Sequence, residues 1–185
     1  WPNVIEQTRL AGAEPVEVPM PASEEFEPDP EAIREAIGPD TAAVSITSPS
    51  NPTGRTISEA GIERIVETAA DNGAYVIADE VYRELTYGDR PRRAAAVTDH
   101  DEWVLSVNSL SKTYAMTGWR VGWLAGPADV VDVLSTIHED TTSCVNTPAQ
   151  HAGVAALTGP REPVERMRET FRSRREYVLD RIEAI

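Results

Sequence analysis

An α/β fold built on a mostly parallel sheet is predicted by three features of the 185-residue sequence. Apolar runs of strand length, at residues 41–47, 74–78 and 103–107, alternate with longer stretches of helical periodicity. The runs are small and continuous rather than alternating, which suits strands buried on both faces. Each also leads into unusual polar residues, around Asn51, Asp79 and Lys112. In a parallel sheet, groups placed just after the strands gather at one edge, where ligands bind.

Taken in order, residues 4–11 make a short amphipathic helix, with Gly12 as its stop. Pro15-Val16-Glu17-Val18-Pro19 reads as a short strand bounded by prolines, and residues 21–30 as a surface loop rich in Pro and Glu. A helix follows over 30–37, with Asp29 as N-cap and Pro30 at the first helical position. The strand at 41–47 ends in Ser48-Pro49-Ser50-Asn51-Pro52-Thr53-Gly54, a dense turn signal. Ser58 caps the next helix, whose Ile62, Ile65, Val66 and Ala69 recur at helical spacing until Gly73 ends it. The strand at 74–78 runs into Asp79-Glu80, and the strand at 103–107 into Ser109-Leu110-Ser111-Lys112. A fourth strand, 119–126, follows closely enough to be an antiparallel neighbour. Helices are expected over 127–137 and 148–157, and a long charged helix from 161 to the end. There is no internal repeat.

Composition excludes several classes of function. A formal net charge of −14 disfavours nucleic acid, because phosphate binding needs a basic face. No apolar run is long enough for a membrane span. The single Cys144 allows no internal disulfide and fits a reducing compartment. His100, His138 and His151 are scattered without metal-ligand spacing, so no metal site is expected. The acidic balance resembles that of proteins from salt-loving microbes; an acidic protein of an ordinary cytosol is the alternative. The chain opens on Trp1-Pro2-Asn3 and stops within a running helix, so it is expected to be part of a longer protein.

Sixteen of the 17 basic residues are Arg, and Lys112 is the only lysine. An amine can lose its proton and attack a carbonyl, which a guanidinium cannot. Around it stand Asn51-Pro52-Thr53-Gly54, Asp79-Glu80-Val81-Tyr82, Ser109-x-Ser111-Lys112 and, eight residues on, Arg120. In combination, order and spacing these motifs resemble the fold-type I pyridoxal-phosphate enzymes, specifically the class I/II aminotransferases related to aspartate aminotransferase. The resemblance covers nearly the whole chain.

The resemblance implies a three-layer α-β-α large domain, incomplete here, with one antiparallel strand in the sheet. Residues 1–160 would be its central part and 161–185 the start of the helix linking to a small domain. It implies pyridoxal 5′-phosphate as cofactor and Lys112 as the Schiff-base lysine, which also carries a proton at the substrate. Asp79 would partner the pyridine nitrogen. Tyr82 and Asn51 would donate to the phenolic oxygen, and Asn51 also to the substrate carboxylate. The Asn51–Pro52 bond is often cis in the family. Arg120 would clamp the phosphate, helped by Ser109 and Ser111. Trp1, at the right spacing from Gly12, would stack on one ring face and Val81 would press the other.

The implied reaction is transfer of an amino group between an amino acid and a 2-oxo acid, by a cytoplasmic homodimer. A carbon–sulfur lyase or decarboxylase on the same scaffold, or the aminotransferase-like domain of a transcription regulator, are the alternatives. No arginine lies within 135–150, where some aspartate aminotransferases hold a side-chain carboxylate, so aspartate specificity does not follow. This stretch of chain alone is expected to be inactive.

Overall fold

The computed structural model describes residues 2–184. Among them, four strands form a sheet in the order β1 (Ala43–Thr47), β2 (Tyr75–Asp79), β3 (Val104–Ser109), β4 (Gly122–Ala125). The first three run parallel and β4 runs antiparallel to β3, as the sequence leads one to expect. Thr47 pairs with Asp79, and Asp79 with Val107, so the carboxyl ends of the parallel strands lie level.

The helices are α1 (Pro2–Leu10), α2 (Pro30–Glu35), α3 (Glu59–Asp71), α4 (Leu110–Thr113), α5 (Ala128–Thr142), α6 (Thr147–Thr158) and α7 (Glu162–Glu183). The expected caps form. Asp29 Oδ1 accepts from the Glu31 amide at 2.9 Å and Ser58 Oγ from the Gly61 amide at 3.1 Å. Gly73 takes φ +71 after α3, the left-handed stop that glycine allows.

The apolar stripe of α3 (Ile62, Ile65, Val66, Ala69) is buried against Ile46, Val76, Ala78 and Val104 on one face of the sheet. α2 backs α3 from outside, where Arg34 Nε donates to Thr68 Oγ1 at 2.9 Å. Each fully buried Ile or Val here contributes about 1.5–3 kcal/mol of burial, an upper figure against a compact unfolded chain.

Three expectations are corrected. Residues 15–19 form no strand: Pro15 and Pro19 lack an N–H for a ladder, no described strand lies alongside, and Val16 is 73% exposed. The fourth strand begins at Gly122, not 119, because residues 117–119 coil into a 3-10 turn and Arg120 takes φ 54. The one-turn helix α4 was not expected; its four residues are too few for any periodicity to reveal.

β4 lies so close to β3 that a Cβ on Gly122 would stand 2.8 Å from the Asn108 carbonyl oxygen. Gly122→Ala should therefore part the two strands. We expect a loss of about 1–3 kcal/mol in a denaturant melt, with no change in secondary structure away from β4.

Candidate functional site

The site is assembled at the carboxyl ends of the parallel strands. Asp79 is the last residue of β2, and its side chain projects to the face of Ile77 and Val107, away from α3. Its backbone is held on both sides. The Asp79 carbonyl accepts from the Ser48 amide at 3.2 Å, and the Glu80 amide donates to the Val107 carbonyl at 3.0 Å. The half-buried carboxylate accepts one hydrogen bond from a described residue, at Oδ1 from the Val81 amide, 3.1 Å away. Loss of water pushes its carboxyl above the ordinary range of 3.8; the Val81 amide pulls the other way, and the Glu80 charge adds to the rise.

Lys112 sits on α4, which continues directly from β3. Ser109 Oγ starts this turn by accepting from the Ser111 amide at 3.0 Å, while its own proton goes to the Val121 carbonyl at 3.1 Å. Leu110 and Thr113 are buried, and Lys112, between them on the turn, is left half-buried. Gly153 of α6 comes close beneath: a Cβ there would stand 3.2 Å from Leu110 Cδ1. Among the described residues Lys112 has no ion-pair partner.

Asn51 and Tyr82, 31 residues apart, are in contact: Asn51 Nδ2 donates to the Tyr82 hydroxyl at 3.1 Å. The Asn51–Pro52 bond is cis, and so is Ser48–Pro49, which nothing in the sequence announces. Val81 is half-buried beside Asp79. Arg120 is exposed at the end of the 117–119 turn, where Nη1 donates to the Thr117 carbonyl at 3.0 Å and its other N–H groups stay free of described partners. Gly122, two residues on, pairs with Ser109 and so keeps Arg120 beside the start of α4. Ser111 is half-buried next to Lys112. Trp1 lies outside the described residues.

Two acidic residues near the site carry roles that sequence reading left aside. Glu80 is buried at 5% exposure and fully partnered on the α3 side of the sheet. Glu84 gathers Arg83 at 2.7 Å, Arg90 at 3.2 Å and Arg161 at 2.7 Å, tying the loop after Tyr82 to the start of α7. The adjacency of Glu80 to Asp79 was visible, but its burial was not: in a chain with 31 acidic residues, one more reads as surface charge. A cleft of about 550 Å³, lined by Arg93, Ser106, Asn108 and Trp123, opens on the sheet face opposite Asp79, so it is separate from this constellation.

This arrangement can meet a ligand that carries a proton donor, a carbonyl group and an anionic group. A carboxylate with spare lone pairs faces one edge, an amine stands on the neighbouring strand's extension, an amide–phenol pair lies alongside, and a guanidinium waits beyond. Comparison with known proteins identifies the family. The family model described as aminotransferase class I and II matches residues 1–185. The aspartate aminotransferase of Geobacillus stearothermophilus is 36% identical over 98% of this chain and 47% of its own length. The aspartate/prephenate aminotransferase of Thermus thermophilus is 36% identical over 100% of this chain and 48% of its own. Among solved structures, a double mutant of the Thermus thermophilus aspartate aminotransferase superposes with a TM-score of 0.94 at 36% identity, covering 100% of this chain and 48% of that one. An aromatic aminotransferase from Pyrococcus horikoshii superposes at 0.92 with 33% identity. The chain spans about half the length of the curated relatives it matches.

Proposed function

This chain belongs to the class I and II aminotransferase family, and on that premise we propose that the whole protein transfers an amino group between an amino acid and a 2-oxo acid with pyridoxal 5′-phosphate. The observation that carries the reading is the meeting, at the carboxyl ends of β2 and β3, of a desolvated carboxylate, an amine with no acidic partner among the described residues, and the hydrogen-bonded Asn51–Tyr82 pair.

These residues fit the cofactor. Burial already raises the proton affinity of Asp79, so a protonated ring nitrogen is the partner it lacks. Pyridoxal phosphate, when bound, supplies an aldehyde that takes up amino groups and a ring that accepts electrons. Lys112 Nζ is the amine that attaches it and the base that moves the proton at the substrate α-carbon. Asp79 holds the ring nitrogen's proton. Tyr82 and Asn51 turn their donors to the phenolic oxygen, and Asn51 to the substrate carboxylate as well. Arg120 grips the phosphate with its free N–H groups, joined by Ser111 and, once its proton turns from Val121, Ser109. Val81 would lie against the ring. Residues 1–160 then serve the cofactor, and 161–185 lead away from it.

No described helix is long and apolar enough to cross a membrane. The whole protein would act as a homodimer, which light scattering would show at twice the chain mass.

The test is a panel of amino donors (aspartate, alanine and an aromatic amino acid) given to the full-length protein loaded with pyridoxal phosphate. We expect one equivalent of the matching 2-oxo acid per site, and continued turnover only when a 2-oxo acid acceptor is added. Given a β-thio amino acid as well, release of pyruvate, ammonia and a thiol with no acceptor would make it a lyase, and release of carbon dioxide with the corresponding amine a decarboxylase.

A further inference from the structure

We propose that Glu80 is a positioning residue that aims Asp79 at the cofactor's ring nitrogen; this rests on the function proposed above. Successive residues of a strand point to opposite faces. Asp79 goes to the open face, and Glu80 goes to the side of Ala78, Ser106 and Asn108. There its carboxylate is 5% exposed. A buried carboxylate is costly unless its oxygens are hydrogen-bonded, and here both oxygens are. Oε1 accepts from the Ala94 amide at 2.7 Å. Oε2 accepts from Arg93 Nη1 at 2.9 Å and from Asn108 Nδ2 at 3.4 Å. Arg93 Nη1 also donates to Asn108 Oδ1 at 2.9 Å, closing the group on itself.

The placement of these partners gives the cluster its meaning. Asn108 lies on β3, one residue before Ser109 and four before Lys112. Glu80 follows Asp79 on β2. The cluster therefore ties the end of the strand bearing the carboxylate to the end of the strand bearing the amine, from the face opposite the cofactor. With the Glu80 amide bonded to Val107 and the Glu80 carboxylate bonded to Asn108, the peptide after Asp79 cannot rotate. The direction of the Asp79 side chain is fixed with it. The Glu80 charge also contributes to the raised proton affinity of Asp79, which suits a carboxylate that must keep a proton on the ring. A carboxylate needed only to fill the space under Ala94 would be replaceable by its amide without any effect on the other face.

The experiment measures cofactor affinity by absorbance titration of the full-length protein, for the wild type, Asp79→Asn, Glu80→Gln and the double variant. Two cofactors are used: pyridoxal phosphate, and its carbocyclic analogue with C–H in place of the ring nitrogen. We expect Glu80→Gln to weaken pyridoxal phosphate about tenfold, to leave the analogue unchanged, and to add nothing to Asp79→Asn in the double variant. Equal loss with both cofactors, multiplicative losses in the double variant, or no loss at all would overturn the proposal. Should Glu80→Gln fail to fold, Arg93→Gln, at a half-exposed position, is predicted to give the same discrimination between the two cofactors, and equal losses there overturn it too. A wild type that takes up neither cofactor defeats the functional reading itself, and is told apart from the other outcomes by that alone.

Discussion

Lys112→Arg is expected to lose covalent attachment of pyridoxal phosphate altogether, although charge and length are nearly kept. The guanidinium stays protonated at any pH the protein survives, so it can neither attack the aldehyde nor move a proton. Turnover should fall by at least about 10³-fold, since one side chain supplies both the nucleophile and the general base. The fold should survive. Lys112 is half-buried on a turn whose anchors are its neighbours Leu110 and Thr113, and those are untouched. Borohydride reduction followed by mass measurement is the check: the wild type should gain the reduced cofactor and the variant should not. A reduced adduct surviving in Lys112→Arg would remove Lys112 from its role.

Asp79→Asn should act in opposite directions on stability and on catalysis. Burial raises the folded-state carboxyl above its ordinary value of 3.8. A group raised in this way is more easily protonated in the folded chain than in the unfolded one. Ionised Asp79 therefore lowers the stability of the cofactor-free protein at neutral pH, and the penalty fades as pH falls through the raised value towards 3.8. The amide carries no charge to desolvate, and its oxygen can still accept from the Val81 amide. Cofactor-free Asp79→Asn should thus melt above the wild type at neutral pH, with the gap closing on acidification. With pyridoxal phosphate bound the order reverses: the amide cannot keep the ring nitrogen protonated, and kcat should drop by about 10²–10³-fold. Melts of both proteins with and without cofactor, at two pH values, read out the crossing. A cofactor-free wild type more stable than the variant at neutral pH would mean that Asp79 already has a cationic partner, against the geometry described.

Legibility in the sequence followed the strength of the local signal. The strands at 41–47, 74–78 and 103–107 and the helix after Ser58 were readable because several independent signals agree there: apolar pattern, cap and stop. The supposed strand at 15–19 failed because alternation alone does not supply a hydrogen-bonding neighbour. α5 extends to Thr142, past the expected end at 137, since Glu139 and Asp140 continue the helix without an apolar stripe to mark them. The start of β4 was misplaced because the left-handed turn at Arg120 is set by tertiary contacts, not by a glycine at that position.

The sequence by itself determined which chemical groups are present and roughly where they fall along the strands. A lone amine, a carboxylate and an Asn–Tyr pair each just follow an apolar run, and in a parallel sheet that order brings them to one edge. Only the tertiary structure decided how they are held. Leu110 buried against α6 turns Lys112 outward, the Asn51 amide reaches a phenol 31 positions away, and Glu80, indistinguishable in the sequence from surface acid, proves buried and bonded across two strands. The reason is physical: the order of residue types is a local property, whereas burial and the pairing of distant polar groups exist only once the sheet has brought separate segments together.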